Sequence, residues 1–274
     1  MSENVQAEAR FINPEWKGRS EIPRIYSKET RYANTTSHSV EILDARPLQE
    51  RGEIDLDRNG FTLLKHRSSI ADFSDPEKFG SAYQTEMQRV VEELTGADQI
   101  FPHFEVSVRA ANPTSFFGDG YSLYFHCDSS WDELEGIIDE KLRETGSPLA
   151  DNRDGWHFAL YNTWRPVDQT VYQNPLTLID AASLDAEDLI NYGLDEGNEG
   201  NDGFVAMVPV YKESQRLMYY PYMEPDEVLI FKQADTRPGY AQTVPHTSFR
   251  DPRAASDAPR RRSVEMRYIC AYRD

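Results

Sequence analysis

The sequence predicts a mainly β fold with flanking helices, built on a double-stranded β-helix, or jelly-roll, core. Three observations carry that expectation. After residue 150 the chain becomes a succession of short β-rich runs: Trp156 to Tyr161, Leu176 to Ile179, Phe204 to Tyr211, Leu217 to Tyr222, Val228 to Phe231 and Val264 to Tyr272. Turn signals rich in Gly, Pro, Asn and Asp separate the runs with no helical pattern between them, as in a barrel or double sheet. The helical patterns gather in the first half, where they can buttress one face of that barrel.

Taken in chain order, residues 1 to 38 are polar and punctuated by Pro14 and Pro23. They read as an N-terminal arm packed on a single domain of residues 1–274. Val40 to Leu43 and Phe61 to Leu64 read as strands, and Arg58-Asn59-Gly60 as a turn in which Gly60 is free to take positive φ. The strongest helix runs from Pro76 to Leu94, with Asp75 as cap and Gly96 as stop. Its Phe79, Tyr83, Met87, Val90, Val91 and Leu94 form one apolar stripe suited to core packing. A second helix starts at Ser129 or Ser130 and turns Trp131, Leu134, Ile138 and Leu142 inward. The glycine-rich stretch from Gly193 to Gly203 carries Asp195, Glu196, Glu199 and Asp202, which would repel phosphate, and reads as a surface loop.

Composition narrows the function classes. Fifteen tyrosines, 13 phenylalanines and a hydrophobic fraction of 39% fit a folded globule. A formal charge of −18 argues against nucleic-acid and anionic-membrane partners and for a small-molecule substrate, although inward arginines can still receive a carboxylate. Oligomeric state is not readable. Cys127 and Cys270 are too few for a disulfide framework or a cysteine-based zinc site. The acidic, polar start after Met1 predicts no secretory signal and a cytoplasmic location.

The chemistry centres on Tyr124-Phe125-His126-Cys127-Asp128. Residues two apart on a strand point the same way, so His126 and Asp128 share a face and Cys127 takes the other. A surface His-x-Asp pair is the bland reading of this motif. A third ligand on another strand would complete a two-His-one-carboxylate facial triad with positions open for cosubstrate and O2, and His246 lies far enough along the chain for several strands to return it to the pair. In the run from Arg261 to Cys270, Arg261, Ser263, Glu265 and Arg267 share one face and Val264, Met266, Tyr268 and Cys270 the other. A surface strand can show that alternation. In a barrel it lines the lumen with charge, and Arg261 with Ser263 offers a guanidinium fork and a hydroxyl to a carboxylate.

These motifs, with Asn162-Thr163-Trp164-Arg165-Pro166, Asn174-Pro175-Leu176, Tyr219 to Met223, Pro225 to Lys232 and His246-Thr247-Ser248-Phe249, occur in an order that resembles one family. It is the group of iron- and 2-oxoglutarate-dependent hydroxylases and desaturases of secondary metabolism that includes the cephalosporin 7α-hydroxylase component and gibberellin desaturase-like and AsaB-like enzymes. The resemblance implies a cupin-like jelly roll, iron on His126, Asp128 and His246, and the far carboxylate of 2-oxoglutarate on Arg261 and Ser263. It also implies hydroxylation, desaturation or oxidative cyclisation of a small molecule with O2. No glycine-rich strand-to-helix turn supports a nucleoside cofactor.

Seven further residues are candidates or carry divided readings. Arg165 is a substrate or cosubstrate anchor, or it packs on Trp164 and pairs with Asp168. Tyr124, Trp164 and Arg267 are candidate substrate contacts. Tyr219, Tyr220 and Tyr222 are a substrate wall or packing. Two alternatives to the whole reading are an iron oxidase that needs no 2-oxoglutarate and a non-catalytic jelly-roll binding protein.

Overall fold

The computed structural model describes residues 3–110, 121–196 and 203–273. Twelve strands and four α-helices are found among them: β1 (Val5–Ile12), α1 (Lys28–Asn34), β2 (Thr35–Asp44), α2 (Arg46–Glu50), β3 (Phe61–Lys65), α3 (Pro76–Thr95), β4 (Gln99–Ala110), α4 (Trp131–Glu144), β5 (Trp156–Val167), β6 (Leu176–Ile179), β7 (Leu189–Gly193), β8 (Val205–Pro209), β9 (Leu217–Tyr219), β10 (Glu227–Asp235), β11 (His246–Ser248) and β12 (Arg262–Arg273). One five-stranded sheet has the order β3-β10-β5-β12-β4 and is antiparallel throughout; the other runs β1-β2-β9-β6-β11. A ribbon of β7 and β8 adjoins them. The N-terminal residues are more than an overlay, because Val5 to Ile12 pair along their whole length with β2 and supply the edge of the second sheet.

The two sheets face each other across a core in which Phe61, Leu63, Trp164, Leu229 and Phe231 of the first meet Leu176, Leu178 and Met218 of the second. Alternation decides what each face sees. On β12, Val264, Met266, Tyr268 and Cys270 pack outward against Phe79, Tyr83, Met87 and Val91 of α3, each fully buried apolar side chain there stabilising by about 1.5–3 kcal/mol. The other parity, Arg261, Ser263, Glu265 and Arg267, turns into the space between the sheets. Helix α3 ends as its sequence requires: Asp75 accepts from Glu77 N at 3.2 Å and Gly96 adopts φ +62°.

Helix α4 is capped by Ser130, and its Leu134, Ile138 and Leu142 pack on Phe158, Leu160, Ile269 and Ala271. Those residues have the inward parity of β5 and β12, so α4 closes one end of the space between the sheets while α3 covers the outer face. The turn before β3 places Gly60 at φ +84°, where a Cβ would lie 2.3 Å from Val244 Cγ2. Only glycine permits that approach, and it seats the segment that leads to His246. Most of the loop between Gly193 and Gly203 lies outside the described residues.

Candidate active site

His126 and Cys127 are short bridges rather than part of a long strand. His126 pairs with His246 of β11, and Cys127 N donates to Met207 O of β8 at 2.7 Å. The segment thereby joins the second sheet to the β7–β8 ribbon. Cys127 is fully buried, and its thiol accepts from Thr243 Oγ1 at 3.5 Å.

One ligand atom from each of His126, Asp128 and His246 falls within 4.8 Å of the other two, although they come from distant points in the chain. Asp128 Oδ1 lies 3.7 Å from Nε2 of each histidine. The other carboxylate oxygen is already committed: Oδ2 accepts from Asn162 Nδ2 at 2.7 Å and from Arg267 Nε at 2.8 Å. The backbone N–H of Asp128 donates to Gln233 Oε1 at 2.8 Å. The first sheet therefore orients a carboxylate that the second sheet supplies.

His126 Nδ1 lies 3.1 Å from Tyr124 O, a contact that calls for its proton and leaves Nε2 as a lone pair. Burial, reinforced by His246, pushes the pKa of His126 down to about 4, and burial also lowers that of His246. Arg267 and the two imidazoles hold Asp128 ionised, far below the usual carboxylate range, although burial opposes them. Two neutral imidazoles and one carboxylate, each braced on its far side, form the donor set of a facial-triad Fe(II) centre.

The same cavity, of about 270 Å³, contains Arg261. Its guanidinium packs on the rings of Tyr121 and Trp164, 4.4 and 4.9 Å from their centroids, and Nη2 donates to Ser248 Oγ at 2.7 Å. Nε and Nη1 of Arg261 and the hydroxyl of Ser263 are buried with no hydrogen-bond partner among the described residues. Desolvation lowers the Arg261 pKa to about 10, so it remains cationic at neutral pH. Unsatisfied donors on a buried cation are costly, and a bound carboxylate would satisfy them.

The structure sorts the remaining predicted residues. Tyr124 lines the cavity, its ring 5.6 Å from that of His126 and its hydroxyl 3.3 Å from Tyr192 Oη. Trp164 lines it as the platform under Arg261. Arg267 bridges Asp128 and Glu265, and the cation stays strongly protonated beside two carboxylates. Arg165 is not brought to the site. Next to Trp164 on β5, it points out towards α3, where Nη2 donates to His66 O at 2.7 Å and lies 2.8 Å from His66 Nδ1. Asp168 pairs with Arg262 instead of Arg165. Tyr219, Tyr220 and Tyr222 do not line the cavity: Tyr219 Oη donates to Glu3 O at 2.5 Å, Tyr220 bonds Gln49, and Tyr222 faces solvent.

Sequence reasoning passed over Asn162, Gln233 and Tyr121. Asn162 was within reach, since it has the parity of Trp164 on one strand. Gln233 sits at the irregularity between Lys232 and Ala234 in β10, where alternation no longer predicts direction.

Two facing sheets around a two-His-one-carboxylate cluster, with a buried arginine in the same cavity, define the non-haem iron oxygenase class. The family described as "Oxidoreductase/YMDC permease-like domain" matches residues 10–271, and the chain belongs to it. Among similar proteins is the alpha-ketoglutarate-dependent dioxygenase phiK of a fungal species, 27% identical over 98% of this chain and 96% of that protein. Another is the hydroxylase/desaturase efuI of Hormonema carpetanum, 26% identical over 94% of this chain and 91% of that one. A solved structure of the iron and alpha-ketoglutarate-dependent endoperoxidase NvfI, in a variant form, shares the fold: TM-score 0.83, 24% identity, 99% of this chain and 98% of that one covered. The chain is thus a jelly-roll enzyme of the Fe(II)/2-oxoglutarate-dependent dioxygenase group.

Proposed function

We propose that this enzyme uses Fe(II) on His126, Asp128 and His246, with 2-oxoglutarate and O2, to hydroxylate, desaturate or oxidatively cyclise a small molecule of secondary metabolism in the cytoplasm. No helix among the described residues is long and apolar enough to cross a membrane. One observation carries the assignment of the cosubstrate: the buried Arg261 holds two N–H groups without partners in the cavity that contains the cation ligands. A five-carbon keto diacid has a carboxylate for Arg261 and Ser263 at one end and a chelating keto acid for the metal at the other.

When bound, the metal and its cosubstrate supply the oxidant that removes hydrogen from a substrate carbon. The protein's own contributions are more directly legible. Neutral imidazoles keep Nε2 available, Asn162 and Arg267 hold Asp128 Oδ2 and would leave Oδ1 for a cation, and the Tyr121 and Trp164 rings pack on Arg261. Desolvation makes the Arg261–carboxylate contact stronger than it would be in water.

Anaerobic titration with Fe(II) and then 2-oxoglutarate tests this reading through the visible charge-transfer absorption of a chelated keto acid. The wild type should develop the band. Arg261→Ala should retain iron but need on the order of 100-fold more 2-oxoglutarate, as expected when a buried charge pair loses one member. Iron binding without any response to 2-oxoglutarate would transfer Arg261 to a substrate carboxylate and sink the cosubstrate assignment.

A further inference from the structure

Strand β4 lies beside β12 with Arg109 directly opposite Ser263, so their side chains share the inward face. Arg109 lines the cavity near the mouth, is exposed, and has no hydrogen-bond or ion-pair partner among the described residues.

The other charges in the cavity find opposites. Arg267 lies between Asp128 and Glu265. On the reading of the site given above, which this inference rests on, one carboxylate of 2-oxoglutarate meets Arg261. The second cosubstrate carboxylate and Asp128 balance the divalent metal, and Glu265 balances Arg267. Arg109 is left as one uncompensated positive charge in a protein whose formal charge is −18. A cation facing a partly dry cavity attracts an anion.

Apolar surface surrounds it. Phe104 stands in a bulged part of β4: Ser107 pairs with Glu265 and His103 with Arg267, so three residues on β4 face one on β12. Phe104 takes φ +64° there, a strained conformation for a bulky residue, and remains 56% exposed with its ring 5.6 Å from the Arg267 guanidinium. Bulges beside active sites commonly re-aim a side chain, and this one holds an aromatic ring at the cavity wall. Leu194 and Phe204 line the same cavity, and Phe204 is also an exposed large apolar residue.

We infer that the substrate is an apolar molecule with a single acidic group, which Arg109 receives while the apolar body rests on Phe104, Leu194 and Phe204. The cation sets the orientation of the substrate, and the apolar wall turns its carbon skeleton towards the metal.

The inference is tested on full-length protein loaded with Mn(II) and saturating 2-oxoglutarate, using 2-naphthylacetate and its neutral isostere 2-naphthylacetamide as calorimetric probes. The acid should bind about tenfold more tightly than the amide, the size of one charge-assisted contact. Arg109→Gln should erase that preference and leave the affinity for 2-oxoglutarate within twofold. Phe104→Ala should weaken both probes together. Equal binding of the two probes, or no binding of the acid, overturns the inference. So does a large loss of 2-oxoglutarate affinity in Arg109→Gln, which would assign Arg109 to the cosubstrate. Failure of Mn(II) or 2-oxoglutarate to bind the wild type, measured first, would instead defeat the reading of the site itself.

Discussion

His126 and His246 exchange both backbone hydrogen bonds, His126 N to His246 O at 3.1 Å and His246 N to His126 O at 2.9 Å, with ring centroids 4.5 Å apart. Main-chain pairing therefore brings the two imidazoles together. A His246→Ala variant should lose tight Fe(II) binding yet keep the far-UV circular dichroism of the wild type, since the backbone pair survives. A collapsed spectrum would mean that the imidazole also holds the fold.

Asn162 offers a finer test of how the carboxylate is aimed. Its amide holds Asp128 Oδ2 at 2.7 Å. Removing a group that orients a ligand typically weakens a metal about 10–100-fold. Competition with a chelator should show that loss for Asn162→Ala, with little change in melting temperature. Unaltered affinity would mean that Arg267 alone suffices.

Arg165 should behave in the opposite way. It is fully buried, its Nη1 3.9 Å from Glu86 Oε1 and its guanidinium carbon 5.8 Å from the Tyr83 ring centroid. Arg165→Ala leaves His66 and Glu86 without their cation, and breaking a buried charged contact of this kind costs about 3–5 kcal/mol. Denaturant unfolding should register that loss, while Fe(II) and 2-oxoglutarate affinities stay within twofold of wild type. A stable variant with defective 2-oxoglutarate binding would restore the functional role that the sequence suggested.

His103 gives a pH dependence with a definite sign. Burial, with Lys141 and Arg267 nearby, lowers its pKa from 6.5 to about 4. Between those values the unfolded chain binds a proton that the folded protein refuses, so stability rises with pH across the window and falls as the solution is acidified through it. His103→Gln should flatten the decline in melting temperature between pH 6.5 and about 4. An identical decline in the variant would remove His103 as the cause.

How far these features were readable depended on periodicity. The caps of α3 and α4 and the two-faced character of β12 followed directly from residue spacing, whereas the convergence of His126, Asp128 and His246 rested on the order of several motifs, because His126 and Cys127 lie in short bridges and not in a long strand. Of the two readings of Arg165, strand parity favours packing away from the cavity: Trp164 and Arg165 are neighbours in sequence but, one residue apart on a strand, look into different layers. The positions of Gln233 and Phe104 were hidden for the converse reason. Each sits where a bulge interrupts alternation, so the pattern that revealed β12 failed beside it. Arg109, one residue before the end of β4, carried no periodic signal distinct from that of a solvated arginine.

Because Arg267 reaches Asp128 from β12 while Arg261 stands at the approach to the same strand, the proposed metal ligand and the proposed cosubstrate receptor are tied to one extended backbone. Such a backbone advances only about 6.7 Å per inward residue and cannot stretch. A slip of β12 by one inward residue would therefore carry both groups along together, so their register is kept by the main chain itself.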